Sequence, residues 1–197
     1  MDKNVIKQII LNQQDFIGRI KLQSRNVCFE ENANYVLVGI RRAGKSYMLY
    51  QHIQHLVANG HSIEEMLFIN FEDERISDIR KENLYLILEA YRELFAFQPI
   101  IFLDEIQNVE GWEHFARRLA DEKYRVFITG SNAHMLSREI SSTLGGRYLT
   151  KEIRPFSFSE YLEYHNIHLP QHWELSPIRA DVVRLFSDYF YYGGLSE

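Results

Sequence analysis

Gly39-Ile40-Arg41-Arg42-Ala43-Gly44-Lys45-Ser46 follows the apolar run Tyr35-Val36-Leu37-Val38. It precedes a stretch in which Leu49, Ile53, Leu56 and Val57 recur on one helical face. Its form is G-x-x-x-x-G-K-[ST]. Glycines let backbone N–H groups turn toward a polyphosphate, and a following helix adds the positive end of its dipole. Lys45 can reach the β- and γ-phosphates, and the Ser46 hydroxyl can ligate Mg²⁺. The stretch therefore reads as a strand, a phosphate-binding loop and a helix. The binding set is Gly39, Ile40, Arg41, Arg42, Ala43, Gly44, Lys45, Ser46 and Tyr47.

Outward from this loop, apolar runs alternate with amphipathic helices. Further strands are expected at 67–71, 100–103, 126–129 and 148–153, with burial on both faces by crossover helices. Leu84, Ile87, Leu88, Tyr91 and Phe95 share one helical face, and Trp112, Phe115, Ala116, Leu119 and Ala120 share another, all expected to pack in the core. An amphipathic helix opens the chain. The fold class is α/β with a mostly parallel sheet.

Ile100-Ile101-Phe102-Leu103 runs into Asp104-Glu105, which sets two acids at the carboxyl end of a buried strand, where open α/β sheets bind ligands. Asp104 would hold Mg²⁺ through water, and Glu105 would polarise an attacking water. Thr129-Gly130-Ser131-Asn132 ends the next strand. A polar side chain there could contact the γ-phosphate or the lytic water, but Thr129, Ser131 and Asn132 are not separable by sequence. Arg147, after Gly145-Gly146, is either an arginine finger acting on a neighbouring subunit's nucleotide or a surface arginine paired with a carboxylate. The catalytic set is thus Lys45, Glu105, Asn132 and Arg147, and the metal set is Ser46 and Asp104. His52 and His55 lie three apart on a helix and read as a solvated face.

Composition limits the rest. The 197 residues carry 22 Lys+Arg against 27 Asp+Glu, which argues against a general nucleic-acid binder. The longest apolar runs fall far short of the ~20 residues of a membrane span, so no membrane partner is expected. Cys28 is the single cysteine, which excludes an intrachain disulfide and fits a reducing cytoplasm.

Several strings resemble the AAA+ ATPases. They are closest to the bacterial and archaeal ATP-binding proteins that join an AAA domain to an endonuclease-like C-terminal domain. The carriers are the loop at 39–46, Phe102-Leu103-Asp104-Glu105, Ile128-Thr129-Gly130-Ser131, Gly145-Gly146-Arg147, Pro155-Phe156-Ser157-Phe158-Ser159-Glu160-Tyr161 and Tyr192-Gly193-Gly194. The resemblance implies a five-stranded parallel P-loop sheet in the order 5-1-4-3-2, with ATP and Mg²⁺ as ligands. No lid arginine is identifiable.

The implied division is an ATP-binding domain over 1–155 and the start of a helical lid or second domain over 156–197. Ser157 or Ser159 caps its first helix, and a second helix spans about 178–189. The aromatic stretch Phe186 to Tyr192 and the stop at Gly193-Gly194 lead to the expectation that the natural chain continues into a further domain. The main reading is Mg-dependent ATP hydrolysis coupled to a protein partner or attached domain. The alternatives are a nucleotide-gated interaction module, a small-molecule kinase and, by family analogy only, a DNA-remodelling protein. A homo-oligomer goes with the trans reading of Arg147.

Overall fold

The computed structural model describes residues 2–131 and 142–194. Helix α1, Lys3–Arg19, begins at Asp2, whose carboxylate accepts the Asn4 N–H at 2.9 Å. Then come β1 (Asn34–Gly39), α2 (Lys45–Ala58), β2 (Met66–Asn70), α3 (Tyr85–Leu94), β3 (Ile100–Asp104), α4 (Trp112–Asp121), β4 (Arg125–Ser131) and β5 (Tyr148–Glu152). Helices α5 (Phe158–Tyr164) and α6 (Ile178–Tyr192) follow.

The five strands form one parallel sheet in the order β2-β3-β4-β1-β5, the expected order read from the other edge. Strand alternation divides the core in two. Val36, Val38, Leu67, Ile69, Ile101, Leu103, Val126 and Ile128 face α3, α4 and the first half of α1. Tyr35, Leu37, Phe68, Phe102 and Phe127 face α2 and the irregular segment 20–33. Gln14, buried on α1, donates to the Met66 carbonyl at 2.9 Å and fixes that helix against β2.

The outermost strand departs from the expectation of burial on both faces. Most of β5 is exposed: it has β1 on one side only, whereas the opposite edge strand, β2, is buried with α1 docked on it. Tyr148 holds its start, donating to the Ala116 carbonyl of α4 at 2.7 Å. Val57 lies outside the buried stripe of α2 and is exposed, about 100° around the helix from buried Leu56. His52 is not solvated. It is buried among Phe29, Phe102 and Phe127, and burial pushes its imidazole down to about 3, with Arg125 adding to the effect.

After β5 the chain turns into α5. Ser157 is its cap: the hydroxyl accepts the Glu160 N–H, and the Glu160 carboxylate accepts the Ser157 N–H at 2.7 Å. Helix α6 runs three residues further than expected and stops at Gly193, whose φ is +75°. Its Phe186, Phe190, Tyr191 and Tyr192 are exposed.

Candidate nucleotide site

The loop after β1 begins with a close approach. A Cβ on Gly39 would sit 2.2 Å from the Ile153 carbonyl oxygen, so only glycine lets β1 end against the chain leaving β5. Gly44 then takes φ +89°, which turns the chain into α2. Ile40, Arg41 and Arg42 are exposed along the rim, while Ala43 is buried beneath it.

Lys45 is 5% exposed, a burial that a lysine tolerates only with partners. Its ammonium donates to the Gly39 and Ile40 carbonyls, each at 3.3 Å, and lies 3.6 Å from Glu105 Oε1. Ser46 Oγ donates to Asp104 Oδ1 at 3.0 Å. The loop and the acidic strand end, 58 residues apart, thus meet directly.

Asp104 is 1% exposed, and its carboxyl is pushed up to about 6. Burial is the main cause. Hydrogen bonds from Thr129 and Ser46 oppose it, and the charges of Glu105 and Glu72 add to it. A cation beside this carboxylate would offset the cost of burying its charge. The donors on hand, a hydroxyl and a carboxylate, are hard oxygens of the kind Mg²⁺ takes when phosphates and waters complete its shell. Among the described residues no group of three or more His, Cys, Asp and Glu side chains could hold a metal.

Glu105 sits at φ +53°, in the left-handed region. Its N–H donates to Thr129 Oγ1 at 2.9 Å, and the Thr129 hydroxyl donates to Asp104 Oδ1 at 2.5 Å. Gln107 Nε2 donates to Glu105 Oε2 at 2.5 Å. The Thr129 side chain thus bonds both acidic residues. The Ser131 side chain and Asn132 lie outside the described residues.

Arg147 is elsewhere. It precedes β5, and Asn34 pairs with Tyr148 while Gly39 ends β1. Arg147 therefore lies about 16 Å along the strands from the loop of its own chain. Its Nε donates to Asp121 Oδ1 at 2.6 Å.

A cavity of about 210 Å³ opens beside the loop, lined by Ala43, Gly44, Tyr47 and Met48 and closed by Arg25, Phe156 and Tyr164. A larger cavity, about 1090 Å³, lies under segment 20–33 at the amino ends of β3 and β4, away from the loop and both acids. Of these two, the smaller one is lined by residues of the loop.

The AAA domain family matches residues 31–162, two thirds of the chain and all of the loop, acids and sheet just described. The chain is a member of that family. As an AAA domain it has the build of an ATP-binding module, which supports nucleotide binding at this loop.

An uncharacterised protein of Methanocaldococcus jannaschii is 32% identical over all of this chain and 44% of its own length. An uncharacterised protein of Haemophilus influenzae is 36% identical over 81% of this chain and 38% of its own. The AAA domain chain thus spans less than half the length of these curated relatives. Among solved structures, the Hsp104–ADP complex of S. cerevisiae matches with TM-score 0.57 at 14% identity, over 94% of this chain and 28% of that one. PCH-2 of C. elegans matches with TM-score 0.52 at 16% identity, over 98% and 58%. These two share the fold. Among the described residues no helix is long and apolar enough to cross a membrane.

Sequence reading of this AAA domain missed Arg25, Gln107 and the aromatic wall of Phe156 and Tyr164. Arg25 lies in a segment without periodicity. Gln107 follows the acids at no motif spacing. The two aromatics lie more than 100 residues beyond the loop.

Proposed function

We propose that this AAA domain binds ATP with Mg²⁺ and hydrolyses ATP, coupling the nucleotide state to a partner protein or to a further domain. The observation that carries this reading is the chain of contacts from Lys45 and Ser46 to Asp104, Glu105 and Thr129 at one end of the sheet. The loop's backbone and Lys45 would cradle the phosphates, exchanging the Gly39 and Ile40 carbonyls for phosphate oxygens. Ser46 and Asp104 would hold Mg²⁺, which when bound offsets phosphate charge. Glu105 would orient and deprotonate the attacking water. The base would lie in the cavity between Tyr47 and the wall of Phe156 and Tyr164. Residues 156–194 would act as the start of a lid over residues 1–155.

One observation favours a slower, switch-like variant of this reading. Gln107 donates to one Glu105 oxygen and Lys45 lies 3.6 Å from the other, and both compete with a water for the carboxylate. A nucleotide-gated interaction module would use the same site with little turnover.

The deciding experiment is ATP titration of the wild-type chain and of Lys45→Ala by calorimetry. Wild type should bind, and the variant should lose at least about tenfold in affinity, the worth of a charged hydrogen-bond donor. Equal affinity in the two would overturn the phosphate-loop assignment. Phosphate release with and without DNA then separates an ATPase, a switch and a DNA-stimulated motor.

A further inference from the structure

Arg25 lies in the irregular segment before β1, yet its side chain is almost as buried as a core residue, 10% exposed. Its backbone is held on both sides by one residue of α2. Gln51 Oε1 accepts the Arg25 N–H at 2.8 Å, and Gln51 Nε2 donates to the Arg25 carbonyl at 2.7 Å. The guanidinium is then aimed at four separate parts of the molecule. Nε and Nη2 donate to the two oxygens of Glu160 at 2.8 and 3.2 Å, a bidentate pair with α5. Nη1 donates to the Arg154 carbonyl after β5 at 2.9 Å and to the Ala43 carbonyl inside the phosphate loop at 3.3 Å. The flat group also lies over the Phe156 ring at 5.1 Å.

Two of these partners are themselves junctions. Glu160 is the reciprocal cap of α5, so the carboxylate that grips Arg25 also fixes the start of that helix. Arg25 and the Ser157 N–H hold it below the usual glutamate range against the opposing effect of burial. The Phe156 backbone is clamped by α6 and its end: its carbonyl accepts from Tyr189 Oη at 2.8 Å, and its N–H donates to the Gly194 carbonyl at 2.8 Å.

The Ala43 carbonyl is the informative contact. It belongs to the same planar peptide as the Gly44 N–H. That N–H is one of the backbone donors with which a loop of this form cradles phosphate. Turning the plane so that the N–H meets a phosphate necessarily moves the carbonyl that Arg25 holds.

We infer that Arg25 is a positioning residue that transmits phosphate occupancy of the loop, through the Ala43–Gly44 peptide, to Glu160 and the helices α5 and α6. It couples the loop to the C-terminal helices from the amino-terminal side of the chain, where no lid residue is required. Lysine cannot replace it, because one ammonium cannot bridge two carbonyls and a bidentate carboxylate.

This inference rests on the ATP-binding reading, and its test keeps the two apart. Amide hydrogen exchange of residues 158–164 is measured with and without MgATP in wild type, Arg25→Lys and Glu160→Gln, with ATP affinity measured in parallel. In wild type ATP should slow exchange across α5 by about tenfold, an ordinary size for a local opening made dearer. At saturating ATP both variants should lose the ATP-dependent change, Glu160→Gln while still binding ATP within about tenfold of wild type, and the double variant should lose no more than either single one. Persistence of the change in both variants, or its absence in a wild-type chain that binds ATP, overturns the coupling. A wild-type chain that fails to bind ATP overturns the ATP-binding reading and the coupling with it. Glu160→Gln, which leaves every Ala43 contact in place, keeps the test valid if Arg25→Lys folds poorly.

Discussion

The hydroxyl of Thr129 donates to Asp104 Oδ1 at 2.5 Å while accepting the Glu105 N–H at 2.9 Å. One side chain from β4 thus sets both acids that end β3. Thr129→Val keeps the shape and removes the oxygen, leaving the buried Asp104 carboxylate and the Glu105 amide each short of a partner. Denaturant unfolding should show a loss of about 1–3 kcal/mol. ATP affinity should stay near wild type while phosphate release slows. An unchanged midpoint and rate would reduce Thr129 to a packing residue.

Glu105→Gln should leave ATP binding intact, because the phosphates are contacted from the loop. Turnover should drop by about 100-fold or more, the usual worth of a positioned general base. Phosphate-release assays at saturating ATP read this directly. A variant as fast as wild type would favour the nucleotide-gated module.

Arg147 is paired with Asp121 on the surface and lies at the strand ends opposite its own loop. If it serves a neighbouring copy, turnover should rise more than linearly with protein concentration, and Arg147→Ala should cut it by about 1000-fold without weakening ATP binding. If it is only an exposed ion pair, the variant should lose no more than about 1 kcal/mol of stability and keep its activity.

His52 sets an acid limit on the fold. An unfolded histidine takes up its proton near pH 6.5, whereas His52 in its aromatic nest does so only near about 3. Between these values the unfolded chain binds the extra proton. Stability should therefore be complete above about pH 6.5 and fall below it by up to about 1.4 kcal/mol per pH unit. His52→Leu should flatten that part of the stability–pH curve. A parallel curve for the variant would mean that the loss comes from carboxylates alone.

Strands β1 to β4 were legible because Val36, Phe68, Phe102 and Phe127 belong to runs apolar on both faces, which a covered parallel sheet demands. That Lys45 and Ser46 meet Asp104 and Glu105 was legible because the phosphate-loop pattern and the acidic strand end both belong at the carboxyl edge of a parallel sheet. The strand at 148–152 was legible too, but its exposure was not, since nothing in its sequence shows that one side lacks a neighbour. His52 was misread because helical periodicity reports a face and not what lies over it; Phe29, from segment 20–33, covers it. That Thr129 bonds Asp104 became visible only when the sheet placed β4 beside β3. Arg25 gave no signal because its role is defined by four partners scattered from residue 43 to residue 160.

Helix α1 lies before residue 31, where the family match begins, yet its Ile6, Ile9 and Ile10 are among the least exposed side chains of the core. The folding unit is therefore larger than the region the family defines. A protein cut to residues 31–162 would carry an open apolar trench along β2 and α3, with Glu93 stripped of Lys3 and Lys7. Such a truncation would self-associate through that trench, and any loss of activity in it would report on a missing wall of the core rather than on the nucleotide chemistry.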